Sequence, residues 1–318
     1  MKPTEILVFG ASGQIGRHLL RKLVRKNFKL TVVTRNLHQK AYILKSQANA
    51  GWMDIIELKT FNHENLSKIF KDKDICINLI GILNQKNQTS FHNIHTVLPK
   101  KLAELSKENN LRQFIHISAL GIEAALDSKY ALSKYNGEKE IRKIINNYVI
   151  LKPSLVYSVD DKFTTMLFNI LKLSPIFPIY YNGETAFHPI HVTDMCEIIE
   201  NVIQDQMKAE TIECVGPEKI SFKEIILRLL KSLQSKRLII PTPLFLARLF
   251  ASFFELTMTN PLLTKDQLIL LRYNNTISGK YKNNLDLKLN SDIKYFDKEI
   301  IKYSYMWKRG GQFSKGKI

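Results

Sequence analysis

Three glycines at a spacing of three residues follow the first apolar segment of the chain, and no other feature constrains the fold as strongly. Residues 6–9 form a continuous apolar run, which is typical of a strand covered on both faces. The turn after this run has the sequence Gly10-Ala11-Ser12-Gly13-Gln14-Ile15-Gly16. Residues 14–26 then place isoleucine, leucine and valine on one face of a predicted helix. Glycine permits a tight turn and close packing of that helix on the strand, so the pattern predicts the first strand–turn–helix unit of a parallel sheet.

The remainder of the first half alternates strand-like and helix-like segments, which predicts parallel strands joined by crossover helices. Further strands are predicted at residues 30–33, 55–58, 75–80, 114–117 and 148–151. After Lys152 and Pro153 the pattern becomes less regular. We therefore expect an α/β fold with a doubly wound Rossmann sheet and a smaller C-terminal α+β lobe. The expected division is residues 1–152, residues 153–302 with interleaved Rossmann elements, and a mobile basic tail at residues 303–318.

Composition limits the class of protein. The 318 residues carry a formal net charge of +18, and 45% of them are hydrophobic, which is enough for one large core and a smaller lobe. The basic residues are scattered, which favours an anionic lipid surface or an acidic partner over nucleic acid. No segment has the roughly 20 uncharged apolar residues of a membrane span. Because a predicted strand begins within the first few residues, we expect no signal or transit peptide. Cys76, Cys196 and Cys214 are expected to be buried thiols in a reducing compartment.

The glycine turn and the end of the second predicted strand together predict a bound dinucleotide. Free amides and the positive dipole end of the following helix would hold its pyrophosphate. An acidic residue after the second strand would select NAD(H), but the sequence there is Thr34-Arg35-Asn36. Arginine grips a 2′-phosphate with parallel hydrogen bonds, so we expect NADP(H) in preference to NAD(H). Arg17 is either a second phosphate clamp or an exposed helix residue, and the sequence leaves both open.

A tyrosine and a lysine follow at helical spacing. Tyr130 and Lys134 are four residues apart, which places them on one helix face, and Ser118 follows the strand predicted at 114–117. We expect the ammonium of Lys134 to lower the pKa of Tyr130, so that the phenol can act as a general acid or base on a carbonyl or alcohol. Lys134 would also bond the nicotinamide ribose, and Ser118 would polarise the substrate oxygen.

Two weaker patterns have simpler interpretations. His188 and His191 flank Pro189, but no third ligand follows at workable spacing, so no metal site is predicted. Residues 244–256 combine phenylalanines and leucines with Arg248. This segment lies either at a membrane interface or in the core of the smaller lobe.

Several motifs carry a resemblance to a known family. They are Gly10-x-x-Gly13-x-x-Gly16-Arg17, residues 77–81, residues 114–118, residues 128–134, residues 137–139, residues 151–154, residues 160–163, residues 189–194 and the softer segment 241–263. Over nearly its whole length the chain resembles the atypical short-chain dehydrogenase/reductases. That family includes the nucleotide-binding accessory subunit of respiratory complex I and bacterial epimerase/dehydratases.

The resemblance implies which residues line the cofactor. They are Gly10, Ala11, Ser12, Gly13, Gln14, Ile15, Gly16, Arg17, Arg35, Ile80, Gly81, Ser118, Tyr130, Lys134 and Pro153. Two departures concern the rest of the pocket. Ser158 stands where relatives often carry glycine, and Phe61-Asn62 lacks an aspartate that often contacts adenine.

The resemblance also implies a function. It is that of an accessory protein of respiratory complex I (NADH:ubiquinone oxidoreductase) or its assembly, with a mainly structural nucleotide and with complex I subunits or assembly factors as partners. Such a protein would be cytoplasmic and peripheral on the inner face of the bacterial inner membrane. The alternatives are an active NADP-dependent oxidoreductase or epimerase, in which ubiquinone metabolism is one setting, and a sensor of NADP(H) occupancy.

Overall fold

The computed structural model describes residues 3–85, 89–308 and 310–311. Its strands are β1 (Glu5–Phe9), β2 (Lys29–Thr34), β3 (Met53–Glu57), β4 (Ile75–Asn78), β5 (Gln113–Ile117), β6 (Tyr148–Pro153), β7 (Val156–Tyr157), β8 (Ile176–Ile179), β9 (Ala186–Phe187), β10 (Ile190–His191), β11 (Glu210–Cys214), β12 (Ile220–Ser221), β13 (Leu238–Pro241) and β14 (Lys282–Asn283). Its α-helices are α1 (Gln14–Arg25), α2 (Leu37–Lys45), α3 (His63–Phe70), α4 (Leu98–Glu108), α5 (Lys129–Ile144), α6 (Lys162–Leu173), α7 (Val192–Gln204), α8 (Phe222–Leu233), α9 (Leu244–Thr257), α10 (Lys265–Leu270) and α11 (Phe296–Ser304).

Eight parallel strands form the main sheet, in the order β14-β11-β6-β5-β4-β1-β2-β3. The chain runs outward from β1 to β3 and then returns to β4 on the other side of β1. The loops that follow β1 and β4 therefore separate at this point, and a crevice opens at the carboxyl ends of the two strands. This is the Rossmann-type α/β fold that the sequence predicts. The later strands β11 and β14 extend the same sheet beyond β6.

The sheet is buried on both faces, which explains why residues 6–9 of β1 are all apolar. Ile6 and Val8 pack in a cluster with residues of α1 and α7, whereas Leu7 and Phe9 pack in a second cluster with residues of α3 and α4. A third apolar cluster is formed by residues of α6, α8 and α11 around the fully buried Tyr157. The three cysteines are buried and unbridged.

The last helix, α11, extends into the segment that the sequence predicts to be a mobile tail. Tyr303 belongs to α11 and is only 6% exposed. The next turn is 3₁₀-helical, and its Trp307 stacks on Phe168 with ring centroids 4.7 Å apart. Tyr303 and Trp307 are therefore packed against the body of the protein, and the tail does not begin at residue 303 as predicted. Residue 309 and residues 312–318 of the predicted tail lie outside the described residues.

The apolar helix α9 is not a core helix. Of its residues only Ala247 and Ala251 are buried, whereas Phe245 is 64% and Leu249 62% exposed. Packing in the core was one of the two interpretations of this segment, and it is wrong for the large side chains. Over the residues that the structure describes, no helix combines the length and apolarity needed to cross a membrane.

Candidate functional site

The turn between β1 and α1 has the geometry that its glycines predict. Gly10 adopts φ +79°, and a Cβ there would lie 2.8 Å from the carbonyl carbon of Leu79. A Cβ on Gly16 would lie 2.4 Å from the Cα of the buried Ala11, so the helix contacts the turn directly. The amide of Gly13 donates to the carbonyl oxygen of Gly10 at 3.0 Å. The turn is thus closed by its own backbone.

The N-terminus of α1 presents backbone amides to the crevice. Gly13 is the N-cap and provides no side-chain cap, and the first turn has no acidic residue. Amides at a helix N-terminus have no partner within the helix and carry the positive end of its dipole, so this end suits a phosphate group. The carbonyl of Ile15 faces the buried thiol of Cys196, and the side chain of Gln14 donates to Ser158 Oγ at 2.9 Å.

The side chain of Arg17 forms an ion pair with a residue from the second half of the chain, Asp160. Its Nη2 lies 2.5 Å from Asp160 Oδ2, and its Nη1 donates to the carbonyl of Ser12. His18 Nε2 lies 3.2 Å from the other oxygen of the same carboxylate, and Ser158 Oγ also donates to it. The contacts from His18, Ser158 and Arg17 hold the pKa of Asp160 well below its ordinary value. The guanidinium of Arg17 is therefore engaged by Asp160 in this structure, and its role as a phosphate clamp stays a prediction.

Unlike Arg17, Arg35 has a guanidinium that is free, in the part of the chain that the structure describes, to bind a phosphate. It follows β2 by one residue and is exposed, and within the described residues it has no ion pair. Phe61 and Asn62, which lie between β3 and α3, have structural contacts. Phe61 packs edge-on against Phe9, and Asn62 caps helix α3 by accepting a hydrogen bond from the amide of Asn65.

Helix α5 carries the tyrosine–lysine pair at the other end of the crevice. Lys134 Nζ donates to the carbonyl oxygens of Ile117 at 3.0 Å and of Ser118 at 3.4 Å, so the lysine is tied to the end of β5. Asp266 of α10 accepts hydrogen bonds from the amides of Lys129 and Tyr130 and so holds the start of the helix.

The protonation of this pair differs from the prediction. Burial lowers the pKa of Lys134 to about 8. Burial and the negative charge of Asp266 raise the pKa of Tyr130 above its ordinary value, so the expected lowering by Lys134 is wrong. The physical reason is geometric: the ammonium bonds two carbonyl oxygens and lies 5.8 Å from the centroid of the tyrosine ring.

Ser118 belongs to a buried charge cluster, which we define as Ser118, Glu123, Glu138, Arg142 and Lys152. Ser118 Oγ donates to Glu138 Oε1 at 2.5 Å. Glu138 is fully buried and pairs with Lys152 Nζ at 3.0 Å and with Arg142 Nη2 at 2.9 Å. Lys152 also contacts Glu123. Because its hydroxyl proton is used inside this cluster, Ser118 does not have the free donor that the prediction of a substrate contact requires.

The loop after β4 approaches both ends of the crevice. The backbone of Leu79 and Ile80 adjoins Gly10, and the amide of Ile80 donates to the side chain of Asn78 at 3.1 Å. The Cβ position of Gly81 lies 3.8 Å from Lys134 Nζ. Pro153 is buried at the end of β6, and its carbonyl accepts from the amide of Leu120.

Sequence reasoning missed His95, which is almost fully buried beside this loop. A Cβ on Gly81 would lie 3.9 Å from its Nε2, and its ring meets that of Tyr130 edge to face. No motif points to it, because its position depends on a π-helical turn at Asn93–Val97. Among the described residues there is no group of three or more histidine, cysteine or acidic side chains that could hold a metal ion.

Comparison with known proteins identifies the family to which this chain belongs. A model of the NAD dependent epimerase/dehydratase family matches residues 6–214, which include both ends of the crevice. The chain belongs to this family. Among solved structures, a nucleoside-diphosphate-sugar epimerase from Staphylococcus aureus superposes with a TM-score of 0.73 at 15% identity, over 94% of this chain and 99% of that one. A dTDP-glucose 4,6-dehydratase from Streptomyces venezuelae, solved with NAD, gives 0.70 at 15% identity over 96% of both chains.

This epimerase/dehydratase family member is also similar in sequence to curated proteins. The 40 kDa subunit of the mitochondrial NADH-ubiquinone oxidoreductase of Neurospora crassa is 24% identical over 91% of this chain and 76% of its own length. The mitochondrial NADH dehydrogenase (ubiquinone) 1 alpha subcomplex subunit 9 of Dictyostelium discoideum is 26% identical over 96% of this chain and 86% of its own. A ceramide reductase from Caulobacter vibrioides is 25% identical over 59% of this chain and 57% of its own.

Proposed function

We propose that this protein is an NADP(H)-binding accessory protein of respiratory complex I or of its assembly, in which the nucleotide is mainly structural. One observation supports the nucleotide site above all others. The N-terminus of α1 has no side-chain cap and directly follows the glycine turn, at the point where the strand order reverses between β1 and β4. Backbone amides in that position bind pyrophosphate without any side chain. Gly10–Gly16, Gly81 and Lys134 would line the dinucleotide.

The preference for NADP(H) rests on Arg35. Its exposed guanidinium at the end of β2 can pair with a 2′-phosphate, whereas NAD(H) offers only a hydroxyl there. We expect Arg35→Ala to weaken NADP(H) binding by about tenfold and to leave NAD(H) binding unchanged. Arg21→Ala, which removes another exposed arginine, is the matched control. Titration of both variants with both nucleotides decides the point, and equal losses for the two nucleotides would contradict it.

A structural nucleotide agrees with the state of the reactive groups. The hydroxyl of Ser118 donates its hydrogen bond to Glu138. The pKa of Tyr130 is raised, so the phenol stays protonated and is a weaker acid than an ordinary tyrosine. The direct experiment is to denature protein purified from its native source and to identify the released nucleotide and its redox state. Release of NADP(H) at one equivalent is the expected result, and protein that carries and binds no dinucleotide refutes the proposal.

An active oxidoreductase or epimerase is the second candidate, because Tyr130 and Lys134 do share one face of α5. Tyr130→Phe separates the two functions. If the nucleotide is structural, the variant keeps its affinity within about threefold. If the protein turns over, loss of the general acid lowers the rate by about 10²–10⁴ while binding persists.

The similarity to complex I subunits supports complex I subunits or assembly factors as partners. Affinity purification from native membranes should recover the protein together with other subunits of that complex. Recovery as a free protein, with complex I in a separate fraction, would argue for the enzyme instead.

The apolar face of α9 supports attachment to an anionic membrane surface. This face consists of Phe245, Leu249, Phe250, Phe253 and Leu256, each between 48% and 87% exposed. Exposed basic residues lie on α9 and next to the paired strands that precede it, namely Arg248, Lys172 and Lys236. An interfacial helix combines such an apolar face with cations that meet anionic headgroups.

Vesicle flotation tests this attachment. Wild-type protein should float with vesicles that contain phosphatidylglycerol and remain unbound with pure phosphatidylcholine. The double variant Phe245→Ser, Leu249→Ser should lose most of the binding, while Ile301→Ser, a control on the 62% exposed Ile301 of α11, should retain it. Equal flotation of both variants would remove α9 from the contact.

A further inference from the structure

His95 joins two parts of the crevice that are distant in sequence. It lies in the π-helical turn Asn93–Val97 and is 1% exposed. We propose that His95 is a positioning residue, which fixes the loop after β4 to helix α5 and thereby sets the space around Gly81 for the nicotinamide end of the dinucleotide. The inference rests on the nucleotide site proposed above. None of the sequence motifs includes this residue.

The hydrogen bonds of the imidazole define its tautomer. The amide of Ile82 donates to Nε2 at 3.1 Å, so Nε2 carries no proton. The single ring proton is therefore on Nδ1, which lies 3.0 Å from Ser133 Oγ. The hydroxyl of Ser133 in turn donates a hydrogen bond to the carbonyl oxygen of Tyr130 at 2.7 Å. A directed chain thus runs from the backbone of Tyr130 through Ser133 and His95 to the loop at Ile82.

Packing prevents the imidazole from leaving this chain. Phe91 stacks on it with ring centroids 5.5 Å apart, and Tyr130 meets it edge to face at 5.3 Å. The backbone of the π-helical turn also touches α5, because a Cβ on Gly137 would lie 1.9 Å from the carbonyl oxygen of His95. The ring therefore transmits the position of α5 to the loop.

The charge state supports the same role. Burial and the nearby Lys134 lower the pKa of His95 to about 2, so the ring stays neutral and keeps one acceptor and one donor. The Cβ position of Gly81 lies 3.8 Å from Lys134 Nζ and 3.9 Å from His95 Nε2. A shift of the loop away from α5 would change this space directly.

Two conservative substitutions separate the two hydrogen bonds of His95. The amide oxygen of a glutamine reaches the place of Nε2 and can accept from Ile82, whereas the shorter amide of an asparagine reaches the place of Nδ1 and can bond only Ser133. Amide hydrogen exchange of a peptide that covers residues 79–85, measured by mass spectrometry without nucleotide, reports the loop. The dissociation constant for NADP(H) reports the site.

The expected pattern is rescue by one variant only. His95→Gln should keep loop exchange near the wild-type rate and NADP(H) affinity within about threefold, whereas His95→Asn should speed loop exchange and weaken binding by about tenfold. Equal behaviour of the two variants in both measurements would overturn the inference. Failure of the wild type to bind any dinucleotide would instead overturn the proposed function, and the loop exchange, measured without nucleotide, still decides whether His95 holds the loop.

Discussion

The two ends of the crevice are built in different ways. The phosphate end, residues 10–17, is one contiguous segment in which glycine backbone does the shaping. The tyrosine–lysine end combines side chains of α5 and of a π-helical turn with backbone groups at the end of β5 and in the loop after β4. Asp266 of α10 holds the start of α5 from 136 residues away. A backbone site can be recognised from local spacing, whereas a side-chain site depends on neighbours that the spacing does not reveal.

The largest expected effect is at the tyrosine–lysine end. Lys152→Met leaves the buried Glu138 with Arg142 as its remaining cationic partner, and we expect a loss of about 3 kcal/mol in the free energy of unfolding. Lys143→Ala removes an exposed partner of Glu140 and should cost less than about 0.5 kcal/mol. Urea denaturation of both variants measures the difference, and similar losses would mean that the cluster does not stabilise this end.

Glycine substitutions compare the two ends directly. Gly16→Ala places a methyl group 2.4 Å from the backbone of Ala11 and should destabilise the protein by about 2 kcal/mol. At Gly81 the nearest atoms to a new Cβ are 3.8 and 3.9 Å away, so Gly81→Ala should cost no more than about 0.5 kcal/mol without nucleotide. Thermal unfolding of the two variants tests this. A larger loss of stability for Gly81→Ala than for Gly16→Ala would contradict this prediction.

The lowered pKa of Lys134 gives the tyrosine–lysine end a pH dependence. In the unfolded chain the lysine titrates near 10.5, whereas in the folded protein its pKa is about 8. Between these values the unfolded state binds more protons, so stability rises with pH. Measured against Lys134→Met, the wild type should gain roughly 1 kcal/mol or more between pH 8 and pH 10.5. A constant difference across that range would show that the lysine is not desolvated.

The smallest expected effect is at the phosphate end. Asp160→Asn removes the carboxylate that pairs with Arg17 and His18, which frees the arginine for a phosphate. We expect NADP(H) to bind about threefold more tightly. Asp292→Asn, which removes an exposed carboxylate paired with Lys294, is the control and should leave binding unchanged. Weaker binding by Asp160→Asn would mean that the ion pair holds Arg17 in place for the nucleotide.

The sequence by itself determined the elements whose causes are local. The strand that ends at Phe9, the turn from Gly10 to Gly16 and the helix that follows were all predictable, because glycine sterics and apolar periodicity act within a few residues. The pairing of Tyr130 with Lys134 on one helix face was predictable for the same reason.

Tertiary structure decided what these groups can do. Asp160 forms an ion pair with Arg17, Glu138 accepts the hydrogen bond of the Ser118 hydroxyl, and burial together with Asp266 raises the pKa of Tyr130. Tertiary packing likewise placed Tyr303 and Trp307 against Phe168 of α6 and left Phe245 and Leu249 of α9 exposed. Each outcome depends on a partner far along the chain or on the exclusion of water, and charge, desolvation and burial are properties of the assembled surroundings, not of the local sequence.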